Sequence, residues 1–197
     1  MAITKTLIIN KALTEIGAQP ITNIDDDTNN ARIINRVYEI ALRGILEECN
    51  WNFARKRALL SLSADTLPWY DTGETVVYVK PTDMIKIFRT SYRPAVWREE
   101  GDYIISDTAD LGVEYVYYLD NPGKYSMAFI EAFVDKLASD AAYMIVNSAS
   151  LGKTYKELYE GVSLPKAISS NSQIGKQQEI LDDAWELAKY QNTQPSA

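Results

Sequence analysis

Three clusters of ionisable side chains gather the residue types that chemistry needs: Asp25-Asp26-Asp27, Glu99-Glu100 with Asp102, and Arg55-Lys56-Arg57. The aspartate run offers ligands for Mg²⁺ or Ca²⁺. Adjacent carboxylates point in different directions, however, and the alternating Asp spacing of a calcium loop with its distal Glu is absent. The run therefore reads as helix-capping residues. Glu99, Glu100 and Asp102 supply the types a glycosidase uses, a carboxylate pair roughly 5 to 10 Å apart across the sugar. Acids at an exposed turn are ordinary, and turn chemistry explains them without catalysis. The three cations could touch phosphate, yet in a chain of net charge −7 they read as a solvated patch.

Two absences narrow the choice further. The chain has no histidine, which removes the commonest general base and the commonest metal ligand. It has one cysteine, Cys49, so no internal disulfide can form. Its glycines make neither a dinucleotide fingerprint nor a phosphate-binding loop. These features predict no catalytic residue, no metal and no cofactor.

The elements that would position such residues follow from periodicity. Ile8, Ala12, Leu13 and Ile16 lie on one stripe of a helix that starts near Thr4 and ends at Gly17, with Pro20 beyond it. The cluster Asp25-Asp26-Asp27-Thr28 then predicts the cap of a long helix over 28–49, whose apolar face carries Ile34, Tyr38, Leu42 and Ile45. From 59 to 118 the period falls to two. Strands are expected at 75–79, 85–92, 95–98, 103–106 and 113–118, with a hairpin turning through Glu99-Glu100-Gly101-Asp102.

A strong helical stripe follows, capped by Ser126 and running through Phe129, Phe133, Leu137 and Ala141. Its small residues Ala138, Ser139, Ala141 and Ala142 suit close packing on the long helix before the sheet. Residues 147–175 are dominated by Ser, Gly, Lys and Asn and read mostly as loop. A last helix is expected over 177–190, before a polar tail at 191–197. The chain is thus expected to be α+β: a bundle of about four helices with an antiparallel β region inserted between the second and third. Residues 1–57 and 124–197 would form the helical domain and 58–123 the inserted sheet.

Composition agrees with a folded protein, 46% hydrophobic and 24% charged. Apolar runs are far short of the ~20 residues that cross a bilayer, so no membrane association is expected. The start lacks a signal peptide's apolar core, which predicts synthesis in a reducing cytoplasm. A pI near 4.7 has the wrong sign for gripping phosphate backbones. Thirteen Tyr and four Trp exceed the needs of a core of this size, and both types favour protein interfaces.

The ordered set Ala12-Leu13-Thr14-Glu15-Ile16-Gly17-Ala18-Gln19-Pro20-Ile21, Ile24-Asp25-Asp26-Asp27-Thr28, Ala31-Arg32 and Trp51-Asn52-Phe53-Ala54 resembles the tail tubular protein A family, the head-to-tail adaptors of short-tailed phages. Val79-Lys80-Pro81-Thr82-Asp83-Met84-Ile85-Lys86-Ile87 is similar to that family's sheet segment, and Tyr115-Val116-Tyr117 with the following helix is similar to its next strand and helix. The resemblance covers about residues 5–146 and implies a non-enzymatic ring subunit, usually dodecameric, held between the portal of the capsid and the tail nozzle. It further implies a location in the virion and a channel through which DNA passes without specific binding.

Under that reading Ile16, Gly17 and Pro20 set the first turn, Asp25, Asp26 and Asp27 cap the long helix, and Trp51 and Phe53 anchor the passage from helix to sheet. Glu99, Glu100, Asp102, Asp107 and Asp110 are candidates for a DNA-repelling lumen or a partner surface, with Trp185 and Tyr190 as further partner contacts. The alternatives from other classes are a carboxylate-based hydrolase of a cell-surface polymer and a monomeric peptide-binding module of the host cytoplasm.

Overall fold

A computed structural model of the chain describes residues 3–69, 73–92 and 95–173. The helix expected at 177–190, with Trp185 and Tyr190, and the tail lie outside the described residues. Helix α1 (Lys5–Glu15) is capped by Thr4, whose hydroxyl accepts from the Leu7 amide. It closes as a Schellman turn: the Ala18 amide donates to Leu13 O at 2.8 Å and the Gly17 amide to Thr14 O at 3.0 Å. Gly17 adopts φ +74°, a conformation any Cβ would strain. Three asparagines then hold the link to α2. Asn10 pairs with both the amide and the carbonyl of Ile21 at 2.8 Å, Asn30 donates to Gln19 O and Asn35 to Ile24 O.

Helix α2 (Asn29–Glu48) is capped by Thr28, whose hydroxyl accepts from the Ala31 amide, a bond that stabilises by about 1 kcal/mol. Helix α3 (Met127–Val146) starts at the Ser126 cap and ends where Asn147 turns left-handed at φ 52°. The chain is mixed α and β, as expected, but its helices do not form a four-helix bundle carrying an inserted sheet. Instead, α3 is the shared partner against which the other α-helices of the described residues pack.

The segment 147–175, expected to be mostly loop, is helical as far as it is described. Helix α4 (Ala149–Leu158) runs through a π-helical turn (Tyr159–Ser163) into α5 (Leu164–Gln173). The buried positions after α4 are Tyr159, Ser163, Ala167 and Asn171, spaced by four. Two of the four are polar, so the buried stripe carries no hydrophobic period to read. The small-residue stripe of α3 receives α4 most closely, because a Cβ at Gly152 would stand 3.2 Å from the Ser139 carbonyl and 3.7 Å from Ala142.

Among the described residues, six strands form two three-stranded antiparallel sheets rather than the single five-stranded sheet the alternation suggests. The first has the order β1 (Arg55–Leu59), β6 (Gly112–Tyr117), β3 (Met84–Thr90); the second, β2 (Val76–Val79), β5 (Tyr103–Ser106), β4 (Trp97–Glu100). Strand β1 escapes the pattern because its sequence, RKRAL, is nearly all exposed on an edge. The sheets face each other across Leu60, Tyr78, Met84, Ile104, Val113 and Tyr115. Fully buried Tyr78 secures this small core by donating to Thr108 O at 2.7 Å and accepting from the Leu111 amide at 3.2 Å.

The helical core and the first sheet meet at aromatic side chains. Trp51 is completely buried, its indole N–H donates to Ile45 O at 2.8 Å, and its ring lies 4.9 Å from Phe129 and 5.9 Å from Phe53. Phe53 and Tyr125 both pack on Phe129, at 4.8 and 4.9 Å. Asn171 closes the far side, accepting from the Asn52 amide at 2.8 Å and donating to Asn50 O at 3.0 Å. Trp51→Ala should therefore cost about 3 to 5 kcal/mol, read as a lowered denaturation midpoint, and Trp51→Phe should cost less. An unchanged midpoint for Trp51→Ala would assign the ring to a contact outside the subunit.

Candidate functional site

The predicted site residues separate into internal anchors and surface charges. Ile16 is buried and Gly17 makes the α1 turn, while Pro20 is exposed. Thr28, not an aspartate, supplies the side-chain cap of α2. The Asp26 carboxylate instead accepts from the amides of Thr22 and Asn23 at 2.9 and 2.8 Å, and Asp27 pairs with Arg32 at 2.9 Å. Asp25 is exposed. Trp51 and Phe53 lie in the joint between helix and sheet.

The acidic set does not form one cluster. Glu99 and Glu100 belong to β4 rather than to the turn, which consists of Gly101 and Asp102 alone, with Gly101 at φ +60° as a tight two-residue hairpin requires. Glu99 pairs with Lys80, and Glu100 stands 3.7 Å from Arg98. Asp65 joins this end by accepting from the Tyr103 hydroxyl at 2.6 Å. Asp107 lies at the opposite end of β5, where the Thr108 hydroxyl (2.7 Å) and the Val96 amide (3.0 Å) bind its carboxylate. The Thr108 bond leads in holding its pKa below the usual value. Asp110 follows in a left-handed turn at φ 54°.

The first sheet brings together a second set, of which the sequence analysis singled out only Arg55-Lys56-Arg57, read as a solvated patch. Glu114, in the central strand, is 8% exposed and is approached from both sides: Arg89 of β3 at 2.7 Å and Arg57 of β1 at 3.6 Å. Arg55 lies 4.7 Å from the Phe88 ring, and Lys56 pairs with Asp83 and covers the Tyr117 ring. The exposed side chain of Leu59 and the arginines line a hollow of about 350 Å³ at this end of the sheet. The pairing of strands that are distant in sequence creates this site. Only the RKR triplet signals it in advance.

Burial raises the carboxyl pKa of Glu15 on α1 and of Asp135 and Asp140 on α3. Around Asp135 the other charged groups are Lys11, Glu15 and Glu131, with the Ser163 hydroxyl beside it. A separate apolar groove of about 600 Å³ lies between α1 and the start of α3, bordered by Ile3, Leu7, Met127 and Ile130. Exposed Ile40 stands on the outer face of α2 near Tyr118 and Arg43. Among the described residues no group of three or more His, Cys, Asp or Glu side chains could hold a metal ion, and no helix is long and apolar enough to cross a membrane.

No protein-family model matches the chain, and no curated protein matches it.

The folded state holds the Asp135 proton more tightly than the unfolded chain does. Burying the carboxylate thus costs stability once pH exceeds its unfolded pKa of about 3.9, and the cost grows as pH rises through the folded value. Asp135→Asn should raise the melting temperature at pH 7 by a few degrees, and the gain should vanish below about pH 3.5. Melting curves that show a pH-independent change would remove burial of the charge as its cause.

Proposed function

We propose that this chain is a non-enzymatic virion structural protein: a head-to-tail adaptor that forms a ring between the portal and the tail nozzle of a short-tailed phage and lets DNA pass. The ordered resemblance from Ala12 through the α3 helix carries the reading. It is made in the host cytoplasm and ends in the neck of the particle. The ring is dodecameric by the same resemblance.

The surface supports this reading. A subunit stacked between two other rings needs two lateral and two axial contacts. Large apolar side chains stand exposed on separate faces: Leu7 and Met127 beside the α1–α3 groove, Ile40 on α2, and Leu59, Leu62 and Val79 on the sheets. Single exposed apolar residues are common on monomers. Here Leu7 and Met127 border a continuous groove, as an axial or lateral partner would require. The hairpin carboxylates are engaged with Lys80 and Arg98 rather than converging on a cleft. Asp107 and Asp110, on turns at the other end of β5, suit a DNA-repelling channel wall.

One mixing experiment tests the assignment. Native mass spectrometry of the purified chain with a cognate portal ring should show a full ring of subunits added to the portal, while the chain alone stays largely monomeric. Templating explains the difference, since a preformed ring raises the effective concentration at which weak lateral contacts form. Failure to bind the portal overturns the proposal. In assembled particles, Asp107→Lys with Asp110→Lys should slow DNA ejection at low salt and lose this effect as salt rises, because new phosphate contacts weaken steeply with salt. Unchanged ejection would take these two residues off the channel wall.

A further inference from the structure

The two sheets have edge strands of opposite charge. Among the described residues, strand β1, RKRAL, borders the first sheet and pairs only with β6, and strand β4, WREE, borders the second and pairs only with β5. Register places the cations on one face. Arg55 lies opposite Val116, Arg57 and Arg89 lie opposite Glu114 from the two sides, and Lys86 lies opposite Val116. Directly opposed residues share a face. Arg89 joins Lys86 there only because β3 is irregular between Ile87 and Arg89, a device that re-aims a side chain. The half of this face near Val116 is covered by the helical core, and Lys86 is tied to Glu47 O at the end of α2. The half around Glu114 is open, with the Arg57 and Arg89 side chains 75% and 50% exposed and Leu59 beside them.

At the β4–β5 hairpin the balance reverses. Glu99 pairs with Lys80, Glu74 and Glu100 lie 3.2 and 3.7 Å from Arg98, and Asp65 accepts from the Tyr103 hydroxyl, so carboxylates are in excess, and Asp102 stands exposed at the tip. Charged edge strands ordinarily prevent sheets of different molecules from joining. That purpose is served best when all edges carry one sign, because copies then repel. Opposite signs on two edges of one molecule make copies attract instead.

We propose that these edges form the lateral contact between copies of this chain, the basic β1 edge and open arginine face of one subunit receiving the acidic β4 hairpin of the next. The inference rests on the ring reading and names its contact surface. The contact is heterologous, as a closed ring requires, because each copy offers one surface and receives the other. Leu59 on the basic side and Val79, exposed on the β2 strand beside the hairpin, provide apolar area within a charged rim. The excess cations also suit phosphate, so duplex DNA is the competing occupant for the test.

Two charge reversals in the full-length chain decide the matter. Arg55→Glu with Arg57→Glu makes both edges acidic, and Glu100→Lys with Asp102→Lys makes both basic. Melting curves first establish that each variant is folded. On a cognate portal ring, each variant alone should give closed rings at a yield lower than wild type by about tenfold or more, since facing like charges repel. An equimolar mixture should restore rings in which the two variants alternate, seen as equal masses of each in native mass spectrometry. Wild-type rings with both variants also closing normally would overturn this interface while leaving the ring reading intact. Failure of the mixture to recover would overturn it equally. Absence of any wild-type ring would remove the ring reading itself. Loss of duplex DNA binding by the Arg55 and Arg57 variant, with ring closure unaffected, would assign the basic face to phosphate and end the proposal.

Discussion

The edge-on contact of Trp51 with Phe129 joins everything else in this molecule. Trp51 follows α2 directly and Phe129 opens α3, so their packing fixes the end of one long helix against the beginning of the other. The Trp51 indole also satisfies the Ile45 carbonyl in the last turn of α2, one of the orphan acceptors every helix end leaves. Strand β1 begins four residues after Trp51, so the direction in which the chain enters the first sheet depends on the same ring. Phe53 and Tyr125 fill the sides of the joint, and Tyr125 donates to Leu119 O at 2.5 Å just beyond the last strand. Entry to and exit from the β region are therefore held at one place.

Helix α3 extends this role along its length. It touches every other α-helix of the described residues, which explains why so many of its residues are buried and why its apolar stripe is the plainest in the sequence. Its two ends receive different partners. The aromatic beginning meets Trp51 and Phe53, and Tyr38 packs on Phe133 at 5.2 Å. The alanine- and serine-rich second half lets α4 approach through Gly152. The π turn then shifts the phase of the chain so that Tyr159, Ser163, Ala167 and Asn171 all face inward, and Asn171 carries the end of α5 back to the residues flanking Trp51.

The same division of labour appears in the charges. The net acidity of the chain does not describe its surface evenly, because the first sheet gathers arginines around Glu114 and the hairpin gathers carboxylates around Lys80 and Arg98. Most members of both sets are ion-paired, Arg57 and Arg89 with Glu114 and Glu99 with Lys80, and exposed pairs contribute at most about 1 kcal/mol each to stability. Their larger consequence is a molecule with a positive and a negative edge. Exposed apolar residues stand on several other faces.

The sequence by itself determined the elements whose signals are local. The stripes of α1, α2 and α3, the cap at Ser126, the glycine turn at Gly17 and the strand at 103–106 all follow from spacing and side-chain chemistry, since each depends on residues within a few positions, whereas which member of the Asp25–Thr28 cluster caps α2 was decided by the fold. The mixed α and β character followed from the same signals. The tertiary structure alone decided how the strands divide into two sheets, because pairing β1 with β6 joins residues about sixty positions apart and no local pattern records it. It likewise decided that 149–173 is helical, where the buried stripe is built of Ser, Ala, Asn and Tyr and draws its stability from α3 rather than from its own hydrophobicity. The RKR triplet was visible from the start. That it stands beside Arg89 around one buried glutamate required the register of three strands and an irregularity in one of them.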